Sequence, residues 1–220
     1  MHTPIVSYQY PGAVLLIFCK APVPGQVKTR LTPALTPEQA ADVHRELASR
    51  TIQLAVDSRL CPIRLCCAPT MEHPFFSAAA ASYGLVLQQQ QGEGLGARMA
   101  CAFRMALEDY RYALLIGCDC PSLTPDDLES ALSALSQGCD CVLGPAEDGG
   151  YVLIGANRLY QPLFDDMPWG SPLVLAATRE RIRQLRLRLH ELPLQWDIDT
   201  PEDLARYRSH INCPSPIAPA

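Results

Sequence analysis

The sequence predicts an α/β protein, a three-layer α/β/α arrangement around one mostly parallel but mixed sheet. Two observations carry this. Residues 14–18 and 113–117 are short, continuous apolar runs bounded by Gly, Pro or charge, the pattern of strands buried on both faces. Between and after them, capped stretches of helical length alternate with further strand-like runs, which is the signature of βαβ units.

Each element follows from local signals. The first run breaks at Lys20-Ala21-Pro22-Val23-Pro24-Gly25, a Pro/Gly loop. Thr36 can then cap a helix, Pro37 suits its first position and Gln39 falls where a capping box needs it, so a helix is expected to about Ser58. Strands at 63–67 and 85–87 alternate with helices at 71–82 and 95–109. After the strand at 113–117 comes a loop holding Asp119, and Thr124-Pro125-Asp126-Asp127 starts a helix to about Leu135. Residues 139–143 and 150–154 read as two strands around a Gly-rich turn, which makes the sheet mixed. An amphipathic helix at 171–185, a strand at 188–194 and a short helix from Thr200-Pro201 complete a single domain over 1–212, and the Pro-rich tail 213–220 is expected to fray.

Composition narrows the function. The formal charge of -5 and the 19% of charged residues exclude both a disordered chain and a polyanion binder that works by bulk field, so no nucleic acid partner is expected. The N-terminus lacks a secretion-signal pattern and no apolar run has membrane-spanning length, so a cytosolic protein is expected. Most of the ten cysteines lie inside apolar runs, with no C-x-x-C pair and no zinc-spaced Cys/His cluster. They read as small core residues, although Cys118/Cys120 and Cys139/Cys141 have the spacing that puts two side chains on one face of a strand.

In open α/β sheets, ligands bind beyond the carboxyl ends of the strands, and the unusual residues fall there. The loop from Lys20 through Ala21, Pro22 and Gly25 to Lys28 and Arg30 combines close backbone approach with positive charge, which suits phosphate. It matches neither the Walker nor the dinucleotide pattern, and taken alone it is equally compatible with a solvated surface turn. Asp119 follows the strand at 113–117, where a carboxylate can ligate Mg²⁺ or Mn²⁺ or merely cap a turn. Asp197 and Asp199 precede the last helix and share one face if extended, whereas Glu202 and Asp203 are explained by helix capping. Gly94-Leu95-Gly96, opening a helix, allow a base or phosphate to meet backbone. Asp148, Gly149, Gly150 and Trp169 offer a carboxylate, pliant backbone and an aromatic plate for a hydroxyl-bearing acceptor.

Four blocks together, residues 18–31, 116–121, 143–151 and 197–204, resemble a bacterial family of GT-A-like transferases, labelled as arsenosugar-biosynthesis glycosyltransferases or radical-SAM-associated transferases. More distantly the chain is similar to the phospholactate and molybdenum-cofactor guanylyltransferases. The resemblance implies the GT-A-type, nucleotide-diphospho-sugar transferase fold. It places nucleotide phosphates at residues 20–30 and the base near 92–96, a Mg²⁺ or Mn²⁺ ion on Asp119 and Asp199, and an acceptor beside Asp148–Gly150 and Trp169. The D-x-D motif of glycosyltransferases is reduced here to Asp119-Cys120-Pro121, an arrangement closer to nucleotidyltransferases.

Two reactions fit these expectations: sugar transfer from a nucleotide sugar, ranked first on the resemblance, and nucleotidyl transfer from a nucleoside triphosphate with release of pyrophosphate. In both, Lys28 and Arg30 stabilise departing phosphates beside the metal, and Asp148 is the candidate general base. A nucleotide-binding protein without turnover is a third reading.

Overall fold

β1 (Ala13–Lys20) is the third strand of a seven-stranded sheet of order β3-β2-β1-β4-β6-β5-β7, in a computed structural model that describes residues 7–212. It is flanked by parallel β2 (Ile63–Ala68) and β4 (Tyr112–Ile116), and β3 (Val86–Gln89) extends the parallel half. β6 (Tyr151–Ala156) runs antiparallel to both β4 and β5 (Cys141–Pro145), and β7 (Leu189–Glu191) adds parallel to β5. The sheet is therefore mixed, as the sequence predicts.

The period-two alternation of the central strands creates the layers. Leu15, Ile17, Leu114 and Ile116 face a cluster built with α1 (Pro37–Ser58), α2 (Pro74–Tyr83) and α4 (Pro125–Ser136). Val14, Leu16, Ala113 and Leu115 face the other side, where α3 (Gly94–Leu107) and α5 (Val174–Gln184) pack. Burying each such Leu or Ile contributes about 1.5–3 kcal/mol. α6 (Pro201–Asn212) packs Leu204 and Tyr207 against Val43 and Leu47 of α1 and against Leu31, which brings the start of α6 beside the loop after β1.

The predicted helix starts hold where the capping chemistry is explicit. Thr36 with Gln39 and Thr124 with Asp127 both form reciprocal capping boxes. Boundaries differ where Pro or Gly intervenes. The strand expected at 188–194 stops at Glu191, because Pro193 has no N–H to donate, and pairing resumes only as a bridge between Ala146 and Gln195. Cys118 and Cys120 lie past the end of β4 and Cys139 before the start of β5, so neither pair shares a strand face. The tail from Cys213 lies outside the described residues.

Candidate active site

The loop after β1 is pinned by buried Val27 and Leu31, 4% and 0% exposed, on either side of Lys28. Between these anchors Lys28 takes the left-handed conformation, φ 47°, an unfavourable choice for a residue with a Cβ and of the kind that concentrates at functional sites. The conformation turns the Lys28 side chain inward, where it is 5% exposed. Its Nζ lies 3.0 Å from Asp119 Oδ2 and 3.1 Å from Asp199 Oδ1, while Arg30 reaches Asp199 Oδ2 at 2.8 Å from the solvent side.

Two backbone devices bring the carboxylates together. Ile198 N–H donates to the Asp119 carbonyl at 3.1 Å, tying the segment before α6 to the loop after β4. Asp203 Oδ2 accepts from the N–H groups of Asp199 and Thr200, at 3.1 and 2.8 Å, and from the Thr200 hydroxyl at 2.8 Å. Asp203 is thus a cap, as expected, and it also fixes the backbone that carries Asp199. A further tie comes from Ser122, whose hydroxyl donates to the buried Gln195 Oε1 at 2.8 Å and accepts from Trp196 N–H at 3.0 Å.

The charges are unbalanced. Burial works to lower the Lys28 pKa, but Asp119 and then Asp199 outweigh it and hold the ammonium above the ordinary lysine range. Burial likewise works to raise Asp119, and Lys28 outweighs it, leaving that carboxyl below its usual range. Asp197 has no such partner. Burial first, then the neighbouring Asp119, Asp199 and Asp148, push it up to about 7.

Two cavities meet at this cluster. One, of about 620 Å³, is lined by Lys20, Lys28, Arg30, Gly94, Leu95, Asp119 and Asp199, and contains most of the predicted nucleotide residues. The other, of about 560 Å³, is lined by Asp148, Gly150, Tyr151, Trp169, Asp197 and Asp199, and contains most of the predicted acceptor residues. Arg30, Asp199 and Gly117 border both. Ala21 lines a smaller recess beside the first.

Pro22, Gly25, Gly96 and Gly149 border neither large cavity. Gly96 is a packing residue: a Cβ there would stand 2.3 Å from the Phe164 carbonyl oxygen and 2.5 Å from Trp169 Nε1. Gly149, φ 85°, is pressed against Pro172, whose carbonyl oxygen would lie 2.2 Å from an added Cβ. Both glycines hold the wall that carries Trp169 and Asp148. Asp148 Oδ1 accepts from Gly150 N–H at 2.8 Å.

The donor set fits a hard divalent cation. Two carboxylates from distant parts of the chain converge on one point, now held by an ammonium, and a third carboxylate close by, Asp197, makes no ion pair among the described residues. Asp119 and Asp199 are the residues that would hold such an ion.

The sheet order, the layers and the position of the cluster beyond the carboxyl ends of β1 and β4 define a nucleotide-diphospho-sugar transferase fold. Residues 51–171 match the bacterial family DUF2064, described as an uncharacterized protein conserved in bacteria, and the chain belongs to it. A protein of Desulfovibrio desulfuricans G20, provisionally described as a nucleotide-diphospho-sugar transferase, is 34% identical over 92% of this chain and 89% of its own, with a TM-score of 0.82. At the level of fold alone, the chain is similar to CMP:2-keto-3-deoxy-manno-octonic acid synthetase complexed with CTP, 13% identical over 90% of this chain and 98% of that one, TM-score 0.56. It is also similar in fold to glucosyl-3-phosphoglycerate synthase of Mycobacterium tuberculosis in complex with Mn²⁺, UDP and glucosyl-3-phosphoglycerate, 10% identical over 91% and 76% of the two chains, TM-score 0.53. A comparison with curated proteins gives no match.

Proposed function

We propose that this chain is a Mg²⁺- or Mn²⁺-dependent transferase that moves a sugar from a nucleoside diphospho-sugar to a small hydroxyl-bearing acceptor. The observation that carries this reading is the meeting of a basic cavity and an acidic, aromatic cavity at one carboxylate cluster. Lys20, Lys28 and Arg30 bind the donor phosphates, and Gly94 and Leu95 shape the nucleotide wall, with Ala21 in the recess beside it. An ion on Asp119 and Asp199 supplies charge neutralisation for the departing diphosphate. Lys28, released from its carboxylates, and Arg30 carry the same charge from the protein side. In the second cavity Trp169 stacks on the acceptor, Gly150 leaves the turn open to it while Gly149 packs the turn against Pro172, and Asp148 takes its hydroxyl proton. The protein then works on soluble metabolites in the cytosol.

Nucleotidyl transfer is the second reading, favoured by one observation: Pro121 stands where a D-x-D pair would have its second carboxylate, and the carboxylate that joins Asp119 comes from Asp199. Incubating the purified protein with nucleotide sugars and with nucleoside triphosphates decides between them. Release of a nucleoside diphosphate from a nucleotide sugar is the expected product. Release of pyrophosphate from a triphosphate overturns sugar transfer in favour of nucleotidyl transfer, and turnover of neither, with retained nucleotide binding, leaves a binding protein.

A further inference from the structure

Cys19, His44 and Cys118 are scattered in sequence and come from β1, α1 and the loop after β4. Ile17 pairs with Ile116, and two residues beyond each of them Cys19 and Cys118 join the same core cluster, on the face that α1 covers. His44 projects from α1 onto the same point, and one ligand atom from each of the three lies within 4.8 Å of the others. All three are buried, at 1%, 5% and 4% exposure, yet all border the larger cavity, so the cluster has a route to solvent.

We infer that Cys19, Cys118 and His44 form a binding site for one thiophilic divalent cation of the zinc class, in the floor of the nucleotide cavity and separate from the carboxylate site. Two sulfurs and an imidazole are the donor set that selects such ions over Mg²⁺, which prefers oxygen. Sulfur and nitrogen ligands around zinc stand roughly 3.5 Å apart, given bonds of about 2.3 and 2.0 Å. Small side-chain rotations therefore close the observed cluster around an ion. His44 Nε2 and Cys19 Sγ both lie against the Lys20 carbonyl oxygen, at 2.9 and 3.3 Å, which fixes the ring and the thiol beside each other. Binding replaces the two thiol protons, which leave to solvent, so the ion with two thiolates and a neutral imidazole carries no net charge. The fourth position faces the cavity, where water or a phosphate oxygen completes the tetrahedron.

The ion would clamp the two strand ends that carry Lys20 and Asp119. It would thereby fix the spacing of the phosphate grip and the carboxylate site without itself entering the transfer.

Cobalt titration of the metal-free full chain tests this. One equivalent of Co²⁺ is expected to give thiolate-to-cobalt charge-transfer absorption, retained in Cys101→Ser and lost in Cys19→Ser and in Cys118→Ser, with zinc displacing the cobalt. X-ray absorption on the zinc-loaded wild-type protein, which does not depend on any variant folding, should show two sulfur neighbours at about 2.3 Å and nitrogen at about 2.0 Å. Cobalt bound without the thiolate band, a band that survives in Cys19→Ser, or a zinc shell of oxygens alone would each overturn the proposal. Because the readout is thiolate ligation, it is independent of whether the carboxylate site supports transfer.

Discussion

The N–H of Ile198 donates to the carbonyl of Asp119 at 3.1 Å, so the acidic segment before α6 is stitched to the loop after β4. That bond places Asp199 on the same ammonium as Asp119, and Lys28 thereby occupies the point where two carboxylates converge. If a divalent ion and Lys28 alternate there, removing the ammonium has opposite effects with and without metal. Lys28→Met leaves the carboxylates facing each other and should cost about 1–2 kcal/mol of stability in chelator, a value discounted because Asp119 and Asp199 are about a third exposed. Added Mg²⁺ or Mn²⁺ should then raise the variant's melting temperature more than that of the wild type, while transfer falls by about 10²–10³. Melting curves in chelator and in metal check this, and equal metal responses would contradict it.

Asp203 acts through Asp199. Asp203→Ala removes a helix cap and should cost about 1 kcal/mol, but the larger effect should be on metal affinity, because Asp199 loses the hydrogen bonds that fix its backbone. Asp203→Asn, which keeps an acceptor oxygen, should recover much of both. Titration of Mn²⁺ into the three proteins measures it, and unchanged affinity in Asp203→Ala would remove the positioning role.

Gly96→Ala tests whether this glycine supports the site or touches nucleotide. Its Cβ would strike a backbone carbonyl and the Trp169 ring, so a loss of about 1–3 kcal/mol is expected from overpacking. The kinetic defect should appear in the acceptor KM, since Trp169 lines the cavity proposed for the acceptor. A defect confined to donor KM would place Gly96 at the nucleotide.

The Tyr151 hydroxyl is buried without a hydrogen-bond partner among the described residues, and Tyr151 borders the cavity proposed for the acceptor. A polar atom held in this way costs stability, so Tyr151→Phe should be neutral or stabilising by up to about 1 kcal/mol. If the hydroxyl meets the acceptor, the same change raises acceptor KM with little effect on donor KM. Steady-state kinetics with each substrate varied separates the two.

The pH dependence of stability offers a test away from the site. Asp140 Oδ2 accepts from Arg188 N–H at 2.9 Å, and this bond above all, with Asn157 and the Arg188 charge, holds its carboxyl below the usual range. A depressed folded pKa means that its contribution is present above the unfolded value of about 3.9 and is lost as pH falls through the folded one. Asp140→Asn should therefore be less stable than wild type at pH 7, with the gap closing below about pH 4. Denaturant midpoints at the two pH values check the sign.

Much of this was legible in the sequence for identifiable reasons. The strands at 14–18 and 113–117 are apolar on both faces because helices cover both, and Thr36/Gln39 and Thr124/Asp127 state their own helix starts. Asp119 could be singled out because it follows the end of a central strand, and Lys28 and Asp199 because they lie in a Pro/Gly loop and before a helix cap, where neither packing nor capping accounts for them. What the sequence withheld depends on tertiary approach. Nothing near Lys28 announces its left-handed backbone or its burial, Gly96 looks like a ligand-contacting glycine until Trp169 is seen against it, and Cys19, His44 and Cys118 share no spacing that marks a cluster.

The most direct test of the central claim is a thermal-shift comparison of wild type and Asp119→Ala with nucleotide sugars and nucleoside triphosphates, in Mg²⁺ or Mn²⁺ and in chelator. A donor at about a hundred times its dissociation constant should raise the wild-type melting temperature by roughly 5–10 °C in metal, with little effect in chelator or in Asp119→Ala. Stabilisation that is indifferent to chelator and to Asp119, or no stabilisation by any nucleotide, would contradict a metal-dependent nucleotide site at the meeting of the two cavities.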